Sequence, residues 1–302
     1  MYKSVLIIDD EEQQAKNLKE ALSKQLQEIT FEIASSEEEI EKKINDFFFM
    51  VAIVDLRMDN RQKDGVAIIK EIHERNPISK VIAISAYEKE YAEALKKLSD
   101  GGDIFRFSAK NKYDTWLPEL EGIIKECFEQ LDSKFYIGQR ALLSYYNDAK
   151  NETDTYKKGQ SFEYFISTLF SNMGYGRIRM RVKDKSSNEV DLIVRNETTD
   201  MFLDKFGKYF LVECKNKPNE AVGKNDFIVF NNKLQNTASM SELGILCTSG
   251  YIAKTTYLEA MRESKSNKKV IFLSNPEIVR MITSDNIREE FKNILDEQVK
   301  DN

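Results

Sequence analysis

The first 130 residues alternate short apolar runs with longer amphipathic stretches, and this repeat constrains the possible folds most strongly. The apolar runs have the length and β-branched character of strands, and they lie at residues 4–10, 31–35, 51–56, 80–86 and 103–110. The stretches with helical spacing of apolar residues cover 12–26, 37–47, 65–75, 88–98 and 117–131. Such alternation of apolar strands with helices predicts a parallel sheet covered by helices on both faces.

The second half of the chain has a different order of elements. Predicted helices cover residues 162–173, 226–235 and 253–264, and predicted strands cover 177–182, 189–194, 209–215, 243–248 and 269–274. This order indicates an α/β unit of another kind. The aromatic-rich segment between the two units predicts a helical linker, or alternatively a signalling helix that transmits the state of the first unit. The expected domains are residues 1–130, a linker at 131–156, and residues 157–302.

Charge and composition limit the chemistry available to the chain. The 302 residues carry a net charge of −6, which divides into −8 for residues 1–130 and +2 for the remainder. Three cysteines without metal-ligand spacing and no apolar run long enough to span a membrane favour the reducing cytoplasm. The single histidine, His73, lies among charged residues, so we expect it at the surface. Any catalysis must therefore depend on carboxylates and lysine.

Acidic residues end two of the predicted strands in the first unit. Asp9 and Asp10 follow the first strand, and Asp55 ends the third. Because sites in parallel sheets lie beyond the carboxyl ends of the strands, we expect these carboxylates to converge there. Clustered carboxylates repel one another unless a hard cation neutralises them, which indicates a Mg²⁺ site. Ser85 and Lys110 end strands four and five at the same edge.

With Asp64-Gly65 downstream, these residues resemble the receiver domain of two-component response regulators, a doubly wound (βα)5 flavodoxin-like fold. The alternative is a set of ordinary acidic strand ends. The resemblance implies phosphorylation of Asp55 by a sensor histidine kinase. It also implies Mg²⁺ ligation by Asp9, Asp10 and Asp55, binding of phosphoryl oxygens by Lys110, and a switch made by Ser85 and Phe107.

Two loops depart from the receiver pattern. Asp59 stands where the family usually has proline four residues after the phosphoacceptor, and the stretch between Asp55 and Gly65 is longer than usual. Asn111 replaces the proline that usually follows the lysine. Because the set of metal-binding and acceptor residues is intact, phosphorylation remains the expected chemistry. The usual geometry of dimerisation and signalling is not implied.

Carboxylates and a lysine also cluster in the second unit. Glu213 and Lys215 are two residues apart on one predicted strand and so share a face, and Asp191 lies on the preceding strand. Glu163, on the helix before them, can supply a fourth group. Hydrolysis of a phosphodiester without histidine needs a metal to hold the phosphate and activate water, together with a cation for the developing charge. These four residues meet that need.

The set resembles the PD-(D/E)xK nuclease superfamily and is most similar to restriction endonucleases of the Mrr type. Gly159, Phe162-Glu163, Gly174-Tyr175 and the segment 244–260 fit the flanking motifs of that family. The resemblance implies an α/β restriction-endonuclease-like fold in which Asp191 and Glu213 hold Mg²⁺ and Lys215 and Glu163 assist catalysis. The alternative is an ordinary cross-strand charge cluster. Burial of charges at the end of a very apolar strand speaks against that alternative.

Several cations of the second unit are candidates for binding a nucleic-acid backbone. Arg177, Arg179, Arg181 and Lys183 recur at every second position, as on one strand face. Such a stripe can hold phosphates, although a solvated strand face explains it equally well. Lys224 and Gln235, after the catalytic strand, are weaker candidates.

Together these features predict a Mg²⁺-dependent endonuclease whose activity is controlled by phosphorylation of Asp55. DNA is favoured over RNA as the substrate, but the sequence leaves both open. A homodimer is expected, because a single site cuts one strand. Defence against phage follows only from the family resemblance. The alternative function is a response regulator whose nuclease-like domain binds nucleic acid without cutting it. A transcription factor ranks last, because no helix-turn-helix pair is evident.

Overall fold

The computed structural model describes residues 3–59, 61–76, 79–183, 189–197, 200–237, 241–263 and 268–300. The chain divides into two compact units, Tyr2–Lys134 and Phe135–Asn302, each built around its own five-stranded sheet. Among the described residues, no helix is both long and apolar enough to cross a membrane.

The first unit is a parallel sheet with the strand order β2-β1-β3-β4-β5. Its strands are β1 (Lys3–Ile8), β2 (Ile29–Ala34), β3 (Val51–Asp55), β4 (Lys80–Ser85) and β5 (Arg106–Ala109). The helices between them are α1 (Glu12–Gln25), α2 (Glu37–Asp46), α3 (Gly65–Arg75) and α4 (Ala92–Asp100). The central strand β3 is buried along its whole length because helices cover both faces of the sheet. This architecture confirms the predicted receiver-like fold.

Helix α5 (Tyr113–Asn151) follows β5 and is 39 residues long. The predicted helix ended at Leu131, but no proline occurs between Pro118 and Asn151, and the helix continues through most of the expected linker. Tyr145, Tyr146 and Ala149 lie buried in the second unit, which explains why the helical conformation persists there.

The second unit contains a mixed sheet with the order β12-β10-β8-β7-β6. Its strands are β6 (Ile178–Lys183), β7 (Glu189–Arg195), β8 (Tyr209–Lys215), β10 (Leu243–Thr248) and β12 (Lys269–Leu273), and a short pair is formed by β9 (Ala221–Val222) and β11 (Tyr251–Ile252). The helices are α6 (Thr155–Asn172), α7 (Lys224–Gln235), α8 (Lys254–Arg262), α9 (Asn275–Thr283) and α10 (Ile287–Lys300), with a 3-10 helix at Leu203–Phe206. The mixed sheet with helices confirms the predicted α/β class.

Several boundaries differ from the sequence prediction for local reasons. Helix α4 begins at Ala92 instead of residue 88, because hydrogen bonds from Glu90 and Tyr91 to the Tyr87 carbonyl form a turn first. Strand β5 begins at Arg106, since the amide of Asp103 binds the end of α4. Helices α9 and α10 and the β9–β11 pair were not predicted. His73 is half-buried, with Nε2 2.5 Å from the Asp103 carbonyl oxygen, so the prediction of a plain surface residue was wrong.

Candidate functional site

The carboxyl ends of β1, β3 and β5 bring together an acidic pair and a lysine. Lys110 Nζ lies 2.9 Å from Asp9 Oδ2 and 2.6 Å from Asp55 Oδ2. Both carboxylates are largely removed from solvent, with 2% of Asp9 and 9% of Asp55 exposed. Backbone amides bind the remaining oxygens, because Glu11 N donates to Asp9 Oδ1 and Arg57 N to Asp55 Oδ1. The ammonium therefore bridges two buried carboxylates.

Burial and neighbouring charges shift the pKa values of Asp55 and Lys110 in opposite directions. Burial raises the pKa of Asp55 above its ordinary value, although Lys110 and the amide of Arg57 favour the charged form. Burial also disfavours the charged form of Lys110, but attraction to Asp55 and Asp9 outweighs it, and the pKa of Lys110 is raised. Lys110 is thus held positively charged beside the Asp55 carboxylate.

The other predicted receiver residues lie at the same edge or next to it. Ser85 is fully buried at the end of β4, and its Oγ accepts a hydrogen bond from Tyr87 N. Phe107, in β5, is partly buried against the core of the first unit. Asp10 follows Asp9 and is half-buried, and its carboxylate has no hydrogen-bond partner within the described part of the chain.

Gly65 is required by the backbone around Asp55. A Cβ atom at Gly65 would lie 2.1 Å from the Asp55 carbonyl oxygen and 2.6 Å from the Leu56 Cα atom. The amide of Gly65 also donates to the Leu56 carbonyl at 3.1 Å. Because both neighbours are backbone atoms, a side chain here would displace the segment that carries Asp55.

The loop after Asp55 contains its own charged contacts. Asp59, which replaces the usual proline, forms an ion pair of 2.6 Å with Arg57. The Arg57 guanidinium also lies over the Tyr87 ring, 4.0 Å from its centroid. These interactions hold the loop in place of the rigid proline.

In the second unit, the ends of β7 and β8 bring Asp191, Glu213 and Lys215 together. Asp191 and Glu213 are the next residues beyond the antiparallel pair Leu192–Val212. Asp191 Oδ2 accepts a hydrogen bond of 2.7 Å from Cys214 N, and Lys215 Nζ lies 2.8 Å from Glu213 Oε1. Only 4% of Glu213 is exposed.

The carboxylates of this cluster are poorly solvated. Burial, followed by repulsion from Glu213, raises the pKa of Asp191 to about 6. Burial raises the pKa of Glu163 to about 7, against the attraction of Arg181. Attraction to Glu213 and Asp191 outweighs the burial of Lys215 and raises its pKa. The site therefore contains buried acids whose ionisation is unfavourable in the folded protein, and such shifted pKa values are typical of functional sites.

Lys233 belongs to this cluster and was not predicted. It lies on α7, and its Nζ is 2.9 Å from Glu213 Oε2. Each oxygen of the Glu213 carboxylate is thus bound by a different lysine. The sequence favoured Lys224 and Gln235 on the same helix, but Lys224 pairs with Glu259 on α8, and Gln235 Nε2 binds Asn231. No local motif distinguishes Lys233, because its role depends on how α7 packs against the sheet.

Glu163, on α6, binds Arg181 of β6. The distance from Arg181 Nε to Glu163 Oε2 is 2.9 Å, and both side chains are at least four-fifths buried. Gln160, with its amide oriented to satisfy its neighbours, accepts hydrogen bonds from Arg181 and from the Tyr156 hydroxyl. Arg181 also has a φ of 50°, a left-handed conformation that is uncommon for a residue with a side chain. The backbone thus departs from regular strand geometry where this guanidinium enters the site.

The predicted cationic stripe of β6 is divided by this arrangement. Arg177, Arg179 and Lys183 are exposed, as a phosphate-binding surface requires. Arg181 is instead buried against Glu163, so the prediction that all four cations share one accessible strand face was wrong. The contribution of Arg181 is to the carboxylate cluster.

The donor set of both clusters fits a small hard cation. No group of three or more acidic, cysteine or histidine side chains that could hold a metal occurs in the described ranges. Mg²⁺, however, is commonly bound by one or two carboxylates, with water and phosphate oxygens completing its shell. Asp9 with Asp55, and Asp191 with Glu213, each supply two carboxylates. Asp191 Oδ1, without a hydrogen-bond partner among the described residues, is available for such a ligand.

Comparisons with known families agree with the two-part organisation. Residues 5–105 match the family model of the response regulator receiver domain, and residues 157–282 match that of a restriction endonuclease of the Mrr type. The two domains therefore occur in one chain, in this order. No curated protein sequence matches the chain.

Solved structures provide a further comparison. The chain is similar to a CheY-like receiver domain protein of Methanospirillum hungatei, with 22% identity, coverage of 43% of this chain and 99% of that chain, and a TM-score of 0.35. It is also similar to the response regulator TrrA of Thermotoga maritima, with 25% identity, coverage of 41% of this chain and 98% of that chain, and a TM-score of 0.33. A structure described as an adenylate cyclase from Rhodopirellula baltica has 20% identity, coverage of 44% of this chain and 95% of that chain, and a TM-score of 0.37.

Proposed function

Because the chain contains a response regulator receiver domain and a restriction endonuclease domain of the Mrr type, we propose that it is a phosphorylation-regulated, Mg²⁺-dependent DNA endonuclease. The observation that carries this proposal is the convergence of Asp191, Glu213 and Lys215 at the ends of adjacent strands. A protein that only binds nucleic acid gains nothing from buried carboxylates close to phosphates, since like charges repel.

The residues of the second unit have distinct roles in this proposal. Asp191 and Glu213 hold the cation, which, when bound, neutralises phosphate charge and activates the attacking water. Lys215 places a fixed positive charge where negative charge develops on the phosphate. Glu163, through its pair with Arg181, orients the neighbouring groups and supports the site without binding the metal directly. Arg177, Arg179 and Lys183 bind the nucleic-acid backbone.

The first unit supplies the control. Asp55 accepts a phosphoryl group from a sensor histidine kinase, and Asp9 and Asp10, together with Asp55 itself, would hold Mg²⁺ there. Lys110, now bridging Asp9 and Asp55, binds the phosphoryl oxygens after transfer. Ser85 and Phe107 then change conformation at the ends of β4 and β5. The short distance from Lys110 Nζ to Asp55 supports this assignment, because the cation already lies where the new negative charge will appear.

We further propose the domain limits 1–130 and 157–302 and a homodimeric active species, because a double-strand break needs two sites. Light scattering with and without DNA tests the dimer. Cys127, Cys214 and Cys247 form no disulfide among the described residues, which supports a reducing cytoplasmic location. Destruction of invading phage DNA is the proposed biological role, on the basis of the restriction endonuclease domain alone.

The decisive experiment is cleavage of supercoiled plasmid DNA by the full chain. Mg²⁺ or EDTA is present, with or without acetyl phosphate, and single-stranded RNA is tested in parallel. We expect nicked or linear DNA only with Mg²⁺, and a rate that changes with acetyl phosphate. The Asp191→Ala/Glu213→Ala variant is the control and should not cut. If the parent chain retards DNA on a gel but never cuts it, the protein is a nucleic-acid-binding response regulator.

A further inference from the structure

Helix α5 begins beside the last receiver strand and ends inside the second unit. It is one continuous helix from Tyr113 to Asn151. Within the unit Phe135–Asn302, Tyr146 packs against Phe165 of α6 with a ring-centroid distance of 5.0 Å, and 1% of Ala149 is exposed. The last turns of the helix therefore form part of the core on which the nuclease site is built.

Asn216 binds this end of α5. Its Nδ2 donates to the Ala149 carbonyl at 2.7 Å and to the Lys158 carbonyl, near the start of α6, at 2.7 Å. Its Oδ1 accepts a hydrogen bond of 2.6 Å from the Ser249 hydroxyl. The amide thus uses both of its donors and its acceptor to join two helices and the turn after β10. Asn216 is half-buried, which limits competition from water for these bonds.

The position of Asn216 in the chain connects this junction to the candidate active site. It directly follows Lys215, the last residue of β8, whose ammonium lies 2.8 Å from Glu213. Its second helix partner, Lys158, precedes Glu163 by five residues on α6. A displacement of α5 relative to the sheet would therefore be transmitted to Lys215 through one peptide bond. It would also reach Glu163 through one helix.

We propose that Asn216 is a positioning residue that couples the receiver-derived helix α5 to the catalytic strand β8, so that phosphorylation of Asp55 alters the placement of Lys215. This inference rests on the proposed function and names the route of its regulation. Such coupling requires an element whose position both sites influence, and α5, which Asn216 binds within the second unit, is the element we assign to this role. Coupling then depends on the two donors of the Asn216 amide.

Other contacts hold α5 in place when Asn216 is changed. The Tyr146 hydroxyl and Lys150 Nζ both bind Asn275 Oδ1, at 2.8 and 3.0 Å. The ring contacts of Tyr146 with Phe165 also persist. An Asn216→Ala variant should therefore fold with α5 still packed, but without the link to β8.

The test compares Asn216→Ala with Asn196→Ala in the full chain. Asn196 is a matched control, because its Nδ2 also donates to two backbone carbonyls, those of Leu203 and Gly207, and neither belongs to α5 or α6. We measure plasmid cleavage with and without acetyl phosphate and verify equal phosphorylation by intact mass. Typical allosteric coupling changes a rate by about 5- to 150-fold, so we expect acetyl phosphate to raise or lower the cleavage rate of the parent and of Asn196→Ala by a factor in this range. In Asn216→Ala the rates with and without acetyl phosphate should differ by no more than about twofold.

A second measurement separates this inference from the proposed function. Hydrogen–deuterium exchange of the peptide 209–217 should change on phosphorylation in the parent and in Asn196→Ala, but not in Asn216→Ala. If the parent never cuts DNA but shows this exchange pattern, the nuclease proposal fails and the coupling stands. If Asn216→Ala keeps the parental rate ratio or the parental exchange response, or if the parent shows neither response, the coupling through Asn216 is refuted.

Discussion

Lys233 on α7 contacts the buried carboxylate of Glu213 on β8, with 2.9 Å between Nζ and Oε2. Lys215 occupies the other oxygen of the same carboxylate at 2.8 Å. The buried Glu213 is therefore neutralised from a helix as well as from its own strand. A cation that binds Glu213 must share it with two ammonium groups, so both lysines influence how the carboxylate presents its oxygens.

We expect Lys233→Ala to reduce the rate of DNA cleavage by about 10- to 100-fold, as is typical for partners that orient a metal ligand. The reason is that Glu213 loses a contact that fixes its side chain. Lys224→Ala is the matched control on the same helix, since Lys224 pairs with Glu259 instead. Plasmid cleavage rates measure the effect. Equal rates for the two variants would exclude Lys233 from the site.

Asp191→Asn should stabilise the metal-free protein at neutral pH. Burial raises the pKa of Asp191 from 3.8 to about 6 in the folded chain. Above pH 6, ionisation therefore favours the unfolded chain by up to ~3 kcal/mol, a cost that asparagine removes. The difference should shrink as the pH falls below 6, be largely lost by pH 4, and vanish well below pH 3.8, where both states bind the proton.

Urea unfolding in EDTA at pH 7.5 and pH 4 measures this difference in the free energy of unfolding. Asp204→Asn, at an exposed position of the 3-10 helix, serves as the control and should have little effect. A loss of stability in Asp191→Asn at pH 7.5 would show that attraction from the neighbouring lysines outweighs the cost of burial.

Arg181→Ala should lower the free energy of unfolding by ~3 kcal/mol, because it leaves Glu163 buried without its partner. The pKa of Glu163 is already raised to about 7 by burial, and loss of Arg181 should raise it further. The destabilisation should therefore be larger at pH 8, where Glu163 of the folded parent is mostly ionised and paired with Arg181, than at pH 6, where it is mostly protonated. Urea unfolding at both pH values tests this. Adding Glu163→Gln should restore part of the loss, and no recovery would contradict the explanation.

Asp55→Asn should abolish phosphorylation by acetyl phosphate without unfolding the first unit. Asparagine retains an oxygen that can accept the hydrogen bond from Arg57 N, and the side-chain volume is nearly unchanged. Asp59→Asn is the control, because Asp59 lies in the same loop and pairs with Arg57. Intact mass spectrometry measures phosphoryl incorporation. Phosphorylation of Asp55→Asn that disappears only when Asp59 is also changed would identify Asp59 as the acceptor.

Gly65→Ala should destabilise the first unit by about 3 kcal/mol, since its Cβ would overlap the backbone carbonyl of Asp55. It should also slow phosphorylation by displacing the acceptor. Gly122→Ala makes the same chemical change in α5, where nothing lies within 4 Å, and should stabilise by about 1 kcal/mol. Denaturant unfolding and the rate of acetyl phosphate labelling measure both effects. Similar stabilities for the two variants would show that the Asp55 loop can move aside.

Much of the fold could be predicted because local patterns and global packing agree. The buried strands β3 and β8 were recognisable as apolar runs, and β8 has the predicted limits. The continuation of α5 to Asn151 was not predicted in full, because its aromatic face becomes informative only when it is packed against α6. Helices α9 and α10 were missed, although Ser274 and Glu277 form a capping box at the start of α9.

The candidate site shows the same division. The spacing of Glu213 and Lys215 indicates a shared strand face, because alternation along a strand is a local property. The burial of Arg181 against Glu163 contradicted the predicted accessible stripe, since strand periodicity does not reveal which helix covers the strand. A left-handed φ at Arg181 also cannot be expected from a sequence that has no glycine there.

The sequence by itself determined the two-part organisation and the α/β class of each part. It also identified the acidic residues and lysines that are candidates for metal binding or catalysis. These features follow from periodicity and spacing, which are encoded over a few neighbouring residues. Only the tertiary structure decided that Lys233 binds Glu213, that Arg181 is buried on Glu163, and that Asn216 joins α5 to β8. Each of these contacts joins residues 18 to 67 positions apart, and such proximity depends on how whole elements pack.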